Sequence, residues 1–333
     1  MTFLNGLTQF AVQVGGIFYL VVLPMLLLTG TGFLLQKRLG LDMATLTRLN
    51  FHFAIPAMVY ASLVTSKLAG GDIWRLLLFA LTLQALMALI ALLAAVLFRV
   101  PGEFRRALVM STMYNNAGNY GLPLQDLAFR EAGLGAAAMG LQVFIMVAQN
   151  ISTFTVGIVI ASGAGRHTPW RRLVRDILHF PPLYVIAAAW VTIKMRAWLG
   201  DASPSVAHVL APFWEAISYV RGSFVPIALC ALGAQLATVP HERRNDPVRL
   251  SVALRLLGGP ALALLLLPLF GLHGFAAQVV LIGISTPTAV NAMLLCLQFG
   301  NQPEFASRAV FYSTLLSPLT VTLVIFLARL GIL

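Results

Sequence analysis

Ten apolar runs, each long enough to cross a bilayer as a helix, fill almost the whole chain. They lie at residues 14–36, 47–66, 74–98, 104–130, 134–161, 177–197, 211–238, 248–270, 274–299 and 305–330. About 20 predominantly apolar residues span the hydrocarbon core. Backbone N–H and C=O groups in hydrocarbon must be satisfied internally, which helices do within a single segment. The expected fold class is therefore an all-α polytopic membrane protein with ten transmembrane helices. A composition of 59% hydrophobic and 10% charged residues excludes an ordinary soluble domain.

No Lys or Arg precedes Lys37. The first run thus lacks the basic flank of a secretory signal, and it reads as a retained helix. Basic residues gather on one side of the expected bilayer: Lys37, Arg38 and Arg48; Arg99, Arg105 and Arg106; Arg166, Arg171, Arg172 and Arg175; Arg243, Arg244 and Arg249; and Arg308. The other side holds fewer, namely Lys67, Arg75, Arg130, Lys194, Arg196 and Arg329. The richer side is cytoplasmic by the positive-inside rule, which puts both termini outside, in the cytoplasmic (inner) membrane of a cell. The net charge of +11 is then topological, and no nucleic-acid partner is needed to explain it. Cys230 and Cys296 fall inside apolar runs and read as buried thiols, not as a disulfide or metal site.

The two halves resemble each other. "FAIPAMVYASLVTSKLA" (Phe53–Ala69) matches "FVPIALCALGAQLA" (Phe224–Ala237), with Pro56 against Pro226. "EFRRALVMST" from Glu103 runs parallel to "GFAAQVVLIG" from Gly274, and "VFIMVAQNISTFTVGIVI" from Val143 to "VFYSTLLSPLTVTLVIF" from Val310. The expected repeats are 1–165 and 166–333, with five spans each. An odd number of crossings makes the second copy enter from the opposite side, an inverted repeat of the kind found in secondary transporters.

The fourth span of each half is interrupted. In the first it reads "NNAGNYGLP" (Asn115–Pro123), and in the second "STPTAVNA" (Ser285–Ala292). Gly118 and Gly121 are expected to release the chain from helical torsions, and Pro123 and Pro287 each remove a donor. Freed backbone at membrane depth is tolerated only inside protein or beside a watery cavity. Half-helix N-termini meeting there would carry partial positive charge and suit an anion.

"NNAGNYGLPL", "STPTAVNA" and the closing "ASRAVFYSTLLSPLT" together resemble the auxin efflux carrier family, which includes bacterial permeases for malonate and other dicarboxylates. The resemblance extends over essentially the whole chain. It implies a ten-helix fold of the bile-acid symporter or sodium–proton antiporter type. Scaffold helices would lie at about 14–66 and 177–238, and transport-domain helices at about 74–161 and 248–330, around crossed helices 4 and 9. Elevator-like alternating access would follow, and a dimer through the scaffold would suit it. Plant members carry a long hydrophilic insert between helices 5 and 6, whereas this chain has a short loop there, as bacterial members do.

The candidate substrate-binding residues are Asn115, Asn116, Asn119, Pro123, Pro287, Thr288 and Asn291. Amides and freed N–H groups would bind a carboxylate while the prolines hold the breaks open. Three further residues are possible charge partners. Arg221 is either a countercharge for the anion or an arginine reaching the outer interface, or pairing with Glu215. Asp126 either titrates or pairs with Arg130 four residues on. His52 is either a proton carrier or a polar residue near the inner interface. Gln142, Gln149, Asn150, Ser313 and Ser317 read chiefly as inter-helical hydrogen-bonding groups.

No metal spacing, phosphate loop or nucleophile elbow is present in the sequence, so neither an enzyme nor a cofactor or metal is expected. The expected function is secondary transport of a small organic acid anion such as malonate or malate, with proton or sodium coupling open. The alternatives are an export carrier for auxin-like or other amphipathic acids, which could be sodium-coupled, and a membrane sensor that binds without transporting.

Overall fold

The computed structural model describes residues 2–65, 70–163, 181–199, 204–239 and 246–330. The basic residues Lys67, Arg166, Arg171, Arg172, Arg175, Arg243 and Arg244, and the expected boundary between the halves, lie outside the described residues. The described chain is helical with no strand; an isolated bridge between Asn115 and Thr288 is its sole extended pairing.

The elements are α1 (Thr2–Ile17), α2 (Leu23–Leu39), α3 (Met43–Leu49), α4 (Ile55–Thr65), α5 (Gly70–Leu97), α6 (Gly102–Met113), α7 (Gly121–Phe129), α8 (Gly135–Ser152), α9 (Ile158–Ser162), α10 (Pro181–Leu199), α11 (Pro204–Ala237), α12 (Val248–Ala253), α13 (Gly259–Leu266), α14 (Gly274–Ile284), α15 (Val290–Gln298) and α16 (Pro303–Arg329). Wider π-helical turns at Phe18–Val22, Asn50–Ala54, Thr153–Gly157 and Leu254–Gly258 join α1 to α2, α3 to α4, α8 to α9 and α12 to α13 without a loop. Such turns insert a residue into the helical ladder and often accompany functional sites.

Among the described residues, six helical stretches are long and apolar enough to cross a membrane unaided: Thr8–Leu39, Ile73–Leu97, Gly135–Ser162, Leu210–Ala237, Val248–Leu266 and Pro303–Arg329. Four expected runs are missing from that set: 47–66 and 177–197, and 104–130 and 274–299, the last two because each is cut into two short helices, α6 and α7, and α14 and α15. The first helix begins at Thr2, well before the apolar run at residue 14. Its early turns contain Asn5, Thr8 and Gln9, which hydropathy passes over.

Two packing groups organise the chain. α11 lies along α2 and also packs on α4, and α4 packs on α10. The α2–α11 contact is a backbone-to-backbone approach. A Cβ added at Gly32 would stand 2.0 Å from Cys230 O, and one added at Gly233 would stand 1.8 Å from Thr29 O. Small residues permit such close crossings where helix association relies on packing. In the second group α5 packs on α6 and α8, α7 on α8 and α14, and α16 on α6, α12, α14 and α15.

One element of the charge reading is corrected. Arg308 was expected in a cytoplasmic loop, but α16 begins at Pro303 and takes Arg308 into its second turn. There it is 4% exposed and ion-paired with Asp246. A buried arginine needs such a partner, because an unpaired charge is costly to desolvate.

Candidate functional site

The site forms where the two broken spans cross. α6 stops at Met113, and Tyr114 turns extended, at φ −102° and ψ 121°. α14 stops at Ile284, and the chain re-enters helix after Ala289, itself extended at φ −66° and ψ 133°. The extended pieces satisfy each other: Asn116 N–H donates to Pro287 O at 2.7 Å, and Ala289 N–H donates to Tyr114 O at 2.9 Å. Pro287 has no N–H to place, so its carbonyl can accept without leaving an orphaned donor beside it.

Side chains lock this pairing. Asn115 Nδ2 donates to Gly283 O at 3.0 Å and Thr286 Oγ1 at 2.9 Å, while Asn115 O accepts from Gln149 Nε2 at 2.5 Å. Thr288 Oγ1 donates to Ser111 O at 2.9 Å, and Thr288 N–H donates to Ser313 Oγ at 3.0 Å. Gln142 Nε2 reaches Ala117 O at 3.2 Å, and Ser317 Oγ donates to Tyr120 OH at 3.0 Å. The glycines work differently from the expectation. Neither Gly118 nor Gly121 has a positive φ. Gly121 is needed for space, since a Cβ there would stand 2.8 Å from Gln142 Nε2.

Beside this framework lies a small cleft of about 30 Å³, lined by Phe51, Asn116, Asn119, Gln149, Asn150 and Asn291, with the backbone around them. That volume holds one or two waters, or part of a carboxylate. Asn116 Nδ2 and Gln149 Oε1 are buried with no hydrogen-bond partner. Leaving such a group unsatisfied costs about 1–3 kcal/mol. Asn119 Oδ1 accepts from Asn50 Nδ2 at 2.9 Å, which leaves its own amide N–H groups without an acceptor among the described hydrogen bonds. Asn291 Nδ2 donates to Asn150 Oδ1 at 3.1 Å. The first backbone N–H groups of α15, at Val290, Asn291 and Ala292, likewise have no acceptor among those described. Among the described residues no Asp, Glu, Lys, Arg or His lines the cleft. It is a neutral surface on which unpaired donors outnumber the one unpaired buried acceptor, Gln149 Oε1, with the N-terminus of a nine-residue helix at its edge.

The expected site residues thus separate into two sets. Asn115, Asn116, Asn119 and Asn291 border the cleft, although the Asn115 amide is committed to the framework. Pro123, Pro287 and Thr288 do not line it. Pro123 occupies the third position of α7, where a missing N–H leaves no helical bond unmade. Asp126 is ion-paired with Arg130, and both join Arg221 around a second, larger cavity of about 460 Å³. Pro24 and Leu28 of α2 and Pro226 of α11 form its other wall. Arg221 has no ion-pair partner among the described residues, Glu215 included. His52 is exposed on its π-helical turn and lines neither cavity; its neighbours Asn50 and Phe51 reach the cleft region instead. Among the described residues no cluster of His, Cys, Asp or Glu could hold a metal, and both cysteines are free thiols.

Sequence reading missed Asn50 and Arg255. Each is a polar side chain inside an apolar run, a signal in itself. Arg255 is fully buried on the Leu254–Gly258 turn.

A family model described as "Membrane transport protein" matches residues 17–169 and 173–325. The chain belongs to this membrane transport family. It is the auxin efflux carrier family that the broken helices resemble. Within it, a protein of Rhizobium meliloti (strain 1021) that carries the provisional name of malonate transporter is 29% identical over 238 residues, 68% of this chain and 70% of its own. An uncharacterized transporter of Methanothermobacter thermautotrophicus is 24% identical over 307 residues, 91% of this chain and 95% of its own. The chain is a multi-pass membrane protein of a transporter family. Its apolar helices fit a lipid bilayer, and its class moves small molecules.

Proposed function

We propose that this membrane transport protein is a secondary carrier for a small organic acid anion of the malonate or malate type, bound at the crossover of the two broken helices. The observation that carries the reading is the cleft itself: unpaired donors that outnumber its one unpaired buried acceptor, no ionised side chain among the described residues, and the start of α15 at its rim. A carboxylate supplies the acceptors that Asn116 Nδ2, Asn119 Nδ2 and the α15 N–H groups lack. The relative named for malonate transport supports the substrate class.

In this reading ten spans form two inverted repeats. α2, α4, α10 and α11 act as the scaffold, and α5 to α9 with α12 to α16 act as the moving body. The tight α2–α11 crossing suits a fixed scaffold. The Asn50–Asn119 hydrogen bond joins the two bodies and must break or re-form as they slide. The larger cavity, with Arg221, is the outer approach that concentrates anions before they reach the crossover. The excess of basic loop residues on one side puts both termini outside the cytoplasm. Because the cleft holds about 30 Å³, it must widen to admit a whole dicarboxylate.

The test is uptake of labelled malonate, malate, succinate and indole-3-acetate into proteoliposomes, with and without imposed pH and sodium gradients, beside Asn119→Ala. Saturable uptake of a short dicarboxylate, reduced at least about tenfold by the substitution, is the expected result, a tenfold loss being about 1.4 kcal/mol of binding. Uptake of indole-3-acetate alone would overturn the substrate class. Ligand binding without uptake would replace a carrier by a sensor.

A further inference from the structure

We propose that Arg255 is the fixed positive charge that makes the crossover select anions, acting through the helix ends and not by touching the ligand. Its guanidinium is fully buried, at 0% exposure. Nη1 donates to Thr112 O at 3.0 Å, and Nη2 donates to Ile284 O at 2.8 Å. Thr112 is the penultimate residue of α6, and Ile284 is the last residue of α14. One side chain therefore caps both helices that end at the crossover. No carboxylate pairs with it among the described residues.

The helix dipoles show what that charge does. Each helix end carries about half an elementary charge, positive at the N-terminus and negative at the C-terminus. Four ends meet here: the C-termini of α6 and α14 and the N-termini of α7 and α15. Left alone, two negative and two positive halves cancel, and the crossover has no preference for the sign of a ligand. A guanidinium on the two C-terminal carbonyls offsets the negative pair. The positive pair then remains, and one of the two, the start of α15, lines the amide-rich cleft. Arginine suits the role because it stays protonated and its planar fork reaches two carbonyls at once. The surroundings are shaped for it. A Cβ at Gly259 would stand 2.2 Å from Nη2, so the residue one turn on leaves space that the guanidinium fills. Ser251 Oγ, on α12 beside it, bonds Ser111 Oγ at 2.8 Å and ties this helix to α6.

The proposal rests on the anion-carrier reading, and the test separates the two. Affinities of purified protein for malonate and for its half-amide, malonamate, are measured at a pH where malonate is the dianion. Arg255→Gln, Arg255→Lys and Gly259→Ala are compared with the natural chain. The ratio of the two affinities is the readout, because a merely structural cap lowers both together. In Arg255→Gln the preference for the dianion is expected to fall about tenfold, the upper range for a charge at a partly buried helix end. In Arg255→Lys, which keeps the charge but can hold only part of the two-carbonyl cap, a smaller fall is expected. A ratio unchanged in Arg255→Gln, with both affinities reduced alike, would overturn the proposal and leave the carrier reading standing. A natural chain that binds neither acid overturns the anion reading and this role with it. Should Arg255→Gln not yield folded protein, Gly259→Ala decides, because its methyl pushes the guanidinium off Ile284 O while keeping the charge. A reduced ratio supports the proposal, and an unchanged one overturns it.

Discussion

The two breaks that cross at the site are built on opposite principles. The second, Ser285–Ala289, spends its groups on the framework: Ser285 and Thr286 return their hydroxyls to Ile282 O and Gly283 O, and Thr288 binds Ser111 O and Ser313 Oγ. The first, from Tyr114 to Tyr120, also gives most of its groups to the framework but leaves one buried side-chain amide nitrogen, Asn116 Nδ2, without a partner. Asn115 spends its amide on the second break, while its neighbour Asn116 keeps a buried N–H pair with no acceptor. One break is a frame and the other carries the binding surface. Adjacent asparagines of identical chemistry therefore do different jobs: the Asn115 amide is bonded to Gly283 and Thr286, and the Asn116 amide nitrogen is left without a partner beside the cleft.

The difference can be broken by substitution. The largest effect is expected from Asn115→Ala. It removes the Nδ2 donor that ties the first break to Gly283 O and Thr286 Oγ1 of the second, and should lower unfolding free energy by about 2–3 kcal/mol, read as the thermal midpoint in detergent. An Asn115→Ala protein as stable as the natural chain would show that the frame does not depend on this amide. Asn116→Ala should do the reverse: uptake falls about tenfold, near 1.4 kcal/mol, while the thermal midpoint stays level or rises, because an unsatisfied buried group has gone. Equal losses of stability in the two variants would erase the division between them. The smallest effect is expected for Thr288→Val, which removes one donor from Ser111 O. It should cost about 1 kcal/mol of stability, and substrate affinity should follow only through that loss.

Much of this was legible in the sequence. The breaks announce themselves because Asn, Gly and Pro are conspicuous against apolar residues. Their partition into frame and surface was not legible. Thr288 and Asn115 look like ligand residues until their acceptors, in helices more than a hundred positions away, are known. Gly121 was read as a torsional hinge, although its reason is the Gln142 side chain beside it. Arg255 is the sharpest case. Its position in an apolar run is visible in "SVALRLLGG", but its meaning depends on two helix ends that only the fold brings together. The π-helical turns that carry Asn50 and Arg255 leave no mark in hydropathy at all.

The crossing also governs how the chain is made. Asn115 and its acceptors Gly283 and Thr286 are 168 and 171 residues apart. At about 5–20 residues per second, a ribosome needs about 10–30 s to deliver the second break after the first. Throughout that interval Tyr114 O and Asn116 N–H sit in a nascent chain without the partners that make them tolerable in a bilayer. Shelter of the first break by the insertion machinery until the second arrives would meet that need. Slowing elongation between the halves is expected to raise the share of chains degraded before maturation, which pulse labelling would measure.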